Sequence, residues 1–252
     1  MAARKILRWS IYVLAMPHIL VARVVHLLKL EAFEADLSRC IEAVDKYSCS
    51  VPAAFIDALV VAEDHRSSLH PGIDPIGIFR ALRVRLLQGQ IQGASTIEQQ
   101  FVRVVTARFE RTTTRKLREQ MLAVLLSSCR SKIAISSAYL ALAFYGSHSE
   151  GLQGIRREFG CGLHNLDSEK VLHFVARLKY PRPLEPSFAW REKVHYRVLA
   201  LKRRSQYPSS KAISMRRALH RILKLAGVSP VNKLKKSETI IAPVRQLVTN
   251  QE

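Results

Sequence analysis

Glu63 and Asp64 stand side by side in a chain whose 252 residues hold forty Lys and Arg but only twenty acids. They close an apolar helical run and open a loop of His, Ser, Pro and Gly, in the stretch AEDHRSSLHPGID. Acids at a helix C-terminus oppose the helix dipole, so the pair is mildly unfavourable unless something compensates. A carboxylate placed beside a substrate hydroxyl takes its proton as a general base, typically worth roughly 10²- to 10⁴-fold in rate. The plainer reading is two solvated acids in a last helical turn. Three later stretches carry further reactive side chains: Gly93-Ala94-Ser95-Thr96-Ile97-Glu98-Gln99-Gln100 with Arg103, Arg111-Thr112 through Arg115-Lys116 to Glu119, and Lys132 through Tyr139-Leu140 to Tyr145-Gly146.

Helices must hold these groups, because nearly every segment after residue 50 has helical grammar and no run alternates cleanly enough for a sheet. Pro52 fits the first position of a helix over VPAAFIDALVVAED. Asp74 is an N-cap, Pro75 the next position and Gly89 the stop of a second. Ser95 and Glu98 form the pattern of a capping box, and a further helix begins among Thr112 to Thr114. Others follow over SKIAISSAYLALAFYG, EGLQGIRREFG, DSEKVLHFVARLKYP, 189–205 and 209–226, the last ended by Gly227. Nine of the ten glycines lie between Gly72 and Gly162. That concentration marks tight turns and close backbone approaches.

Apolar residues make up 48% of the chain, ample for a core, and the net charge of +20 predicts an anionic partner. The N-terminal run WSIYVLAMPHILVA is preceded by Arg4, Lys5 and Arg8. Counted from Ile6 to Leu28 it reaches the roughly 20 residues that span a bilayer, if His18, Arg23 and His26 are accommodated. No small-residue cleavage site follows. The flanking charges keep the N-terminus cytoplasmic and send the rest outward. An amphipathic helix lying on the membrane or packed in the domain is the alternative. Cys40 and Cys49 flank a short segment and could pair in an oxidising space. Between 191 and 236 stand fourteen Lys and Arg and one acid, Glu192, so 191–252 reads as a basic helical region facing an anionic membrane surface.

The four reactive stretches, in this order, resemble the glycosyltransferase domain of class A penicillin-binding proteins and the monofunctional biosynthetic peptidoglycan transglycosylases. That family shows Glu-Asp-x-x-Phe-x-x-His-x-Gly, Gly-x-Ser-Thr-x-Thr-Gln-Gln, Arg-Lys-x-x-Glu and Lys-x-x-Ile-Leu-x-x-Tyr-Leu-Asn. The likeness runs from about Val51 to about Pro186. The chain has no transpeptidase Ser-x-x-Lys, so the resemblance implies a monofunctional enzyme. It implies an all-α, lysozyme-like domain over 31–190, anchored in the inner membrane by a single helix within 1–30 and working on the periplasmic face. It also implies an inverting polymerisation of lipid II, in which the reducing end of a lipid-linked glycan passes to the 4-hydroxyl of a second lipid II and undecaprenyl diphosphate leaves. Other cell-wall synthesis proteins are the implied partners.

The resemblance makes Glu63 the general base and Glu119 an aid at the diphosphate, directly or through a divalent cation such as Mg or Mn. No metal ligand set is otherwise expected. Asp64, Arg66, His70, Gly72, Ser95, Thr96, Gln99, Gln100, Arg103, Arg111, Arg115 and Lys116 form the implied substrate-binding set. Residue chemistry agrees, since a leaving diphosphate needs cations. Arg103, Arg111, Arg115 and Lys116 supply them, with Arg111 and Arg115 on one face if helical. Ser95 and Thr96 lie at a helix N-terminus, where free N–H groups bind phosphate oxygens. Plainer readings make Glu119 a partner of Arg115, Ser95 and Glu98 caps, and His70 a loop residue bonded to backbone.

The chain departs from the family at Ser67 (Phe), Glu98 (Thr), Arg103 (Lys), Ser136 and Ser137 (Leu-Glu) and Ala141 (Asn). Ser67 removes an apolar anchor of the loop, and Glu98 brings a negative charge toward the expected diphosphate. These changes open a second reading, a diverged and catalytically weak relative that binds lipid-linked glycan or acts as a scaffold. A nucleic-acid-binding reading rests on charge alone and explains neither the carboxylates nor the N-terminal run, so nucleic acid is not an expected partner.

Overall fold

The computed structural model describes residues 2–90, 92–160 and 166–206. The helix expected at 209–226, its Gly227 cap and Cys161 lie outside them. Ten helices, a 3-10 turn and one short hairpin make up what is described. Residues 1–202 form one compact unit, and the second unit is described only by the last turn of the final helix.

Helix α1, Ala2–Leu27, rises about 39 Å at 1.5 Å per residue. It is long and apolar enough to cross a membrane, and only 17% of its apolar window is buried against the rest of the protein. Its buried Ile11, Ala15 and Ala22 form a narrow seam, while Trp9, Val13, Leu20 and Val24 face outward. Helix α2, Glu31–Tyr47, buries Phe33, Leu37, Cys40 and Val44, the stripe that a 3.6-residue period puts on one face. Cys40 and Cys49 are both free thiols. Cys40 is buried on α2 and Cys49 is exposed just beyond its end, and the pairing open to them is not formed. Burial, with the nearby Asp36 charge, pushes the Cys40 thiol up to about 12.

Helix α3, Ala53–Glu63, follows Pro52, which is the residue before the helix rather than its first member. A 3-10 turn, Ser67–Leu69, leads to α4, Pro75–Gln88. There the Asp74 side chain accepts from the Gly77 N–H, and Gly89 ends the helix in the left-handed region at φ 65°. Helices α5 (Ile97–Thr106), α6 (Thr113–Cys129) and α7 (Lys132–Leu142) follow. Helix α5 packs against α2, α6 and α7. Thr96, not Ser95, caps α5 by accepting from the Gln99 N–H, so the expected capping box is absent and Glu98 is released for other work.

The hairpin of β1 (Phe144–Gly146) and β2 (Ser149–Glu150) was illegible in the sequence because two or three residues cannot display an alternation. A Cβ on Gly146 would lie 2.3 Å from the Arg182 backbone, which explains the glycine. Helices α8 (Gly151–Phe159), α9 (Ser168–Ala176) and α10 (Phe188–Gln206) complete the described chain. Phe55, Phe159 and Phe174 meet edge to face with centroids 5.0–6.0 Å apart. The boundary expected at residue 191 falls within α10. Val194, Val198 and Leu201 of that helix are buried in the core, so its first four turns are more than a basic appendage.

Candidate active site

The two neighbouring acids that end α3 have opposite fates. Asp64 turns inward and is buried. Its Oδ2 accepts from His70 Nε2 at 2.9 Å and from the first N–H of α5, Ile97, at 3.4 Å. Gly72 N–H donates to His70 Nδ1 at 3.2 Å, so that nitrogen carries a lone pair and the ring proton sits on Nε2. The His70 side chain is 0% exposed, and its contacts are those of a loop scaffold. Arg66 likewise points to Asp74, with Nε 2.9 Å from Oδ2. Gly72, at φ 107°, brings the loop so close to α6 that a Cβ would sit 2.4 Å from the Ala123 carbonyl oxygen. Thr96 Oγ1 donates to the Gly72 carbonyl at 2.6 Å and closes the same scaffold.

Glu63 turns outward and stays partly exposed. Gln100 Nε2 lies 3.4 Å from its Oε2, and Tyr139 Oη donates to Gln100 Oε1 at 2.7 Å, which fixes the amide's orientation. Arg197 of α10 donates to Oε1 at 3.1 Å. Burial and the charge of Glu63 push the Tyr139 phenol well above its ordinary range.

One residue back along α5, Gln99 faces a second carboxylate system. Its Oε1 accepts from Lys116 Nζ at 2.6 Å, and Ser95 Oγ lies 2.9 Å from the same ammonium. Lys116 also pairs with Glu119, which is buried and receives Arg103 Nε at 3.0 Å, Arg103 Nη2 at 3.1 Å and Arg115 Nη1. Three cations thus share one carboxylate, leaving a surplus of positive charge beside the half-buried Ser95 and the buried Gln99. Burial lowers the Lys116 pKa below the ordinary lysine value, against the pull of Glu119 and with the push of Arg103 and Arg115.

The Glu98 substitution is neutralised internally. Its side chain is 1% exposed and pairs with Lys132 of α7, whose Nζ is also 3.3 Å from His70 Nδ1. It therefore adds no free negative charge beside the Lys116 cluster. Ser137, where the family has Glu, donates to the Tyr47 carbonyl at 2.8 Å. Ser67 and Ala141 are buried.

Neither cluster fits a divalent cation in this form. At Glu119 both carboxylate oxygens already face guanidinium or ammonium groups. Asp64, His70 and Glu98 each offer one ligand atom within 4.8 Å of the others. Yet both His70 nitrogens are engaged, and the Lys132 ammonium bridges Glu98 and His70. A built-in cation occupies the place a metal would take.

The structure therefore brings Glu63 and Gln100 together, and groups Ser95, Gln99, Arg103, Arg115, Lys116 and Glu119 around the next turn of α5. Asp64, Arg66, His70, Gly72 and Thr96 are held by hydrogen bonds within the stretch from α3 to α5. Arg111 is exposed and precedes α6, whose N-cap is Thr112, so it shares no helical face with Arg115. Sequence reasoning left out Arg197, whose only signal is its place beside the buried 194, 198 and 201 stripe. It also left out Asp36, buried on α2 and held by Arg39, Arg118 and Arg108. Burial pushes the Asp36 carboxyl up, but those guanidinium groups outweigh it and hold the pKa below the ordinary value.

Comparison with known proteins agrees with this architecture. The family model described as Transglycosylase matches residues 40–205, which take in all but the last residue of α10. Penicillin-binding protein 1A of Haemophilus influenzae is 36% identical over 155 residues, 61% of this chain and 18% of that protein. Penicillin-binding protein 1A of Escherichia coli is 32% identical over the same shares, and that of Aquifex aeolicus 30% identical over 203 residues, 80% of this chain and 28% of that protein. The chain thus spans between about a fifth and just over a quarter of the length of these relatives. With four motifs in order and a match over most of its described helices, the chain belongs to the transglycosylase family.

Proposed function

We propose that this protein is a peptidoglycan glycosyltransferase that polymerises lipid II. The observation that carries the reading is the pair of carboxylate systems joined by α5. Through consecutive residues, Gln100 and Gln99, that helix touches a partly exposed Glu63 and a cation cluster built on buried Glu119.

Glu63 takes the proton from the acceptor's 4-hydroxyl as its oxygen attacks the anomeric carbon of the donor. The bond from that carbon to the diphosphate oxygen breaks, the electron pair leaves with the diphosphate, and the configuration inverts. Lys116, Arg103 and Arg115 neutralise the charge that develops on the leaving group. Glu119 organises these three cations before substrate arrives, so their orientation costs nothing during the reaction. No step passes through a metal.

Helix α1 anchors the protein in the inner membrane, with the remainder on the periplasmic face. The exposed apolar residues Phe79, Leu82, Leu86 and Leu87 of α4 extend the lipid-facing surface. A lipid-linked glycan and other cell-wall synthesis proteins are the partners.

The test is incubation of the purified full chain with lipid II, with products resolved as glycan strands on a gel. Strand formation with release of undecaprenyl diphosphate is expected. Binding of lipid II without strands would replace this reading with a glycan-binding relative.

A further inference from the structure

Arg197 lies on α10, beyond the four motifs, yet its Nη2 is 2.6 Å from the Ala62 carbonyl and 3.1 Å from Glu63 Oε1. Its side chain is 13% exposed and that of Glu63 18%, so the pair is largely withdrawn from water. We propose that Arg197 is a positioning residue for Glu63 and that α10 belongs to the catalytic apparatus through it. This inference rests on the glycosyltransferase reading of Glu63.

Two features of α3 make the assignment. The helix ends in two acids, where a helix dipole favours cations. Arg197 supplies the missing cation and also satisfies Ala62, one of the carbonyls a helix end leaves without an intrahelical partner. A charge-assisted hydrogen bond of this kind is roughly twice as strong as a neutral one. Glu63 Oε1 is thereby fixed by Arg197, while Oε2 faces Gln100, itself oriented by Tyr139. A carboxylate has about four acceptor positions over its two oxygens, so the incoming hydroxyl still finds one.

Among the described residues, these are the charged and titratable groups shown to act around Glu63. Arg197 comes from α10 and Tyr139 from α7, and Arg103 of α5 acts on the same Tyr139. The neighbouring Asp64 is directed away, toward His70. Arg197 is the cation in direct contact. Its stem is anchored because Val194, Val198 and Leu201, on the same face of α10, are buried in the core.

Misplacing a reacting group by about 1 Å costs on the order of 10²-fold. Loss of Arg197 frees Glu63 Oε1 from its fixed position and so slows the reaction.

The experiment uses the full chain, with kcat and KM for lipid II polymerisation measured for wild type, Arg197→Gln and Arg197→Lys. With the fold verified by circular dichroism, Arg197→Gln lowers kcat by about tenfold or more with little change in KM. Arg197→Lys keeps the charge, rescues part of the loss and stays several-fold below wild type in kcat. An unchanged kcat in folded Arg197→Gln, a loss seen in KM alone, or a faster enzyme overturns the proposal. Should Arg197→Gln fail to fold, Arg197→Lys with wild-type kcat overturns it. A wild type inert on lipid II sinks the glycosyltransferase reading instead. The inference is then read from the Glu63 carboxyl carbon resonance, assigned by its loss in Glu63→Gln, which must move at neutral pH in folded Arg197→Gln or, if that does not fold, in Arg197→Lys; an unmoved resonance overturns it.

Discussion

Lys132 at the start of α7 pairs with Glu98 in the first turn of α5, and the carboxylate is 1% exposed. Removing one member of such a pair strands a charge in the interior, at a cost of about 3–5 kcal/mol. Removing both leaves only a packing change. Lys132→Met should therefore lower stability severely, and the Glu98→Met/Lys132→Met double variant should recover most of the loss. Chemical denaturation of the four species gives the coupling energy. Additive costs would mean that the two side chains do not depend on each other.

Gly72 is confined twice, by φ at 107° and by the Ala123 carbonyl 2.4 Å from where a Cβ would stand. Gly72→Ala must distort the loop that carries His70 or push α6 away. A loss of about 1–3 kcal/mol is expected from the backbone conformation alone, with more from the clash. A thermal melt indistinguishable from wild type would show that the approach to α6 is looser than described.

How much of this could be read from the residues follows from how local each signal is. Asp74 and Gly89 act within one helical turn, so their capping roles were legible, as was a helix start among Thr112 to Thr114. The placement of Glu63 at the end of α3 was legible for the same reason. Ser95 and Glu98 matched a capping box by spacing, but Thr96 is also a good N-cap and the long-range partner Lys132 claimed Glu98. Arg197 and Asp36 are invisible to local patterns because their partners lie 134 and 82 residues away in Glu63 and Arg118. In 191–206 the density of charge masked the apolar stripe of Val194, Val198 and Leu201, whose spacings of four and three are helical.

Glu63 and Glu119 should separate catalysis from stability. Glu63→Gln removes the counter-charge of the largely withdrawn Arg197, so the melting temperature should fall modestly, less than in Glu119→Gln, while strand synthesis falls by roughly 10²- to 10⁴-fold. Glu119 is buried among Arg103, Arg115 and Lys116. Glu119→Gln leaves three cations without their counter-charge, so activity and about 3–5 kcal/mol of stability should be lost together. Parallel melts and polymerisation assays check both. A folded, equally stable Glu119→Gln protein that is merely slower would reduce the buried carboxylate to a minor role.

Lys116 should set the alkaline limit of activity. Burial, the largest influence on it, depresses its pKa below the ordinary lysine value of about 10.4. Above the depressed pKa the ammonium becomes neutral and the diphosphate loses a cation, so turnover should fall at a pH below that of an ordinary lysine. Tyr139 does not titrate first, since burial and the Glu63 charge raise its pKa. Stability moves the opposite way. Between the folded and unfolded pKa values of Lys116 the unfolded chain binds more protons, so its contribution to stability increases as pH rises through that interval. An alkaline loss of rate with the fold intact is thus the signature of Lys116 itself. Lys116→Arg stays charged throughout the accessible range, so its alkaline limb should move to higher pH even if its plateau rate is lower. Activity profiles from neutral pH to about pH 11, with circular dichroism at each point, test this. An alkaline limb that stays in place in Lys116→Arg would assign it to another group.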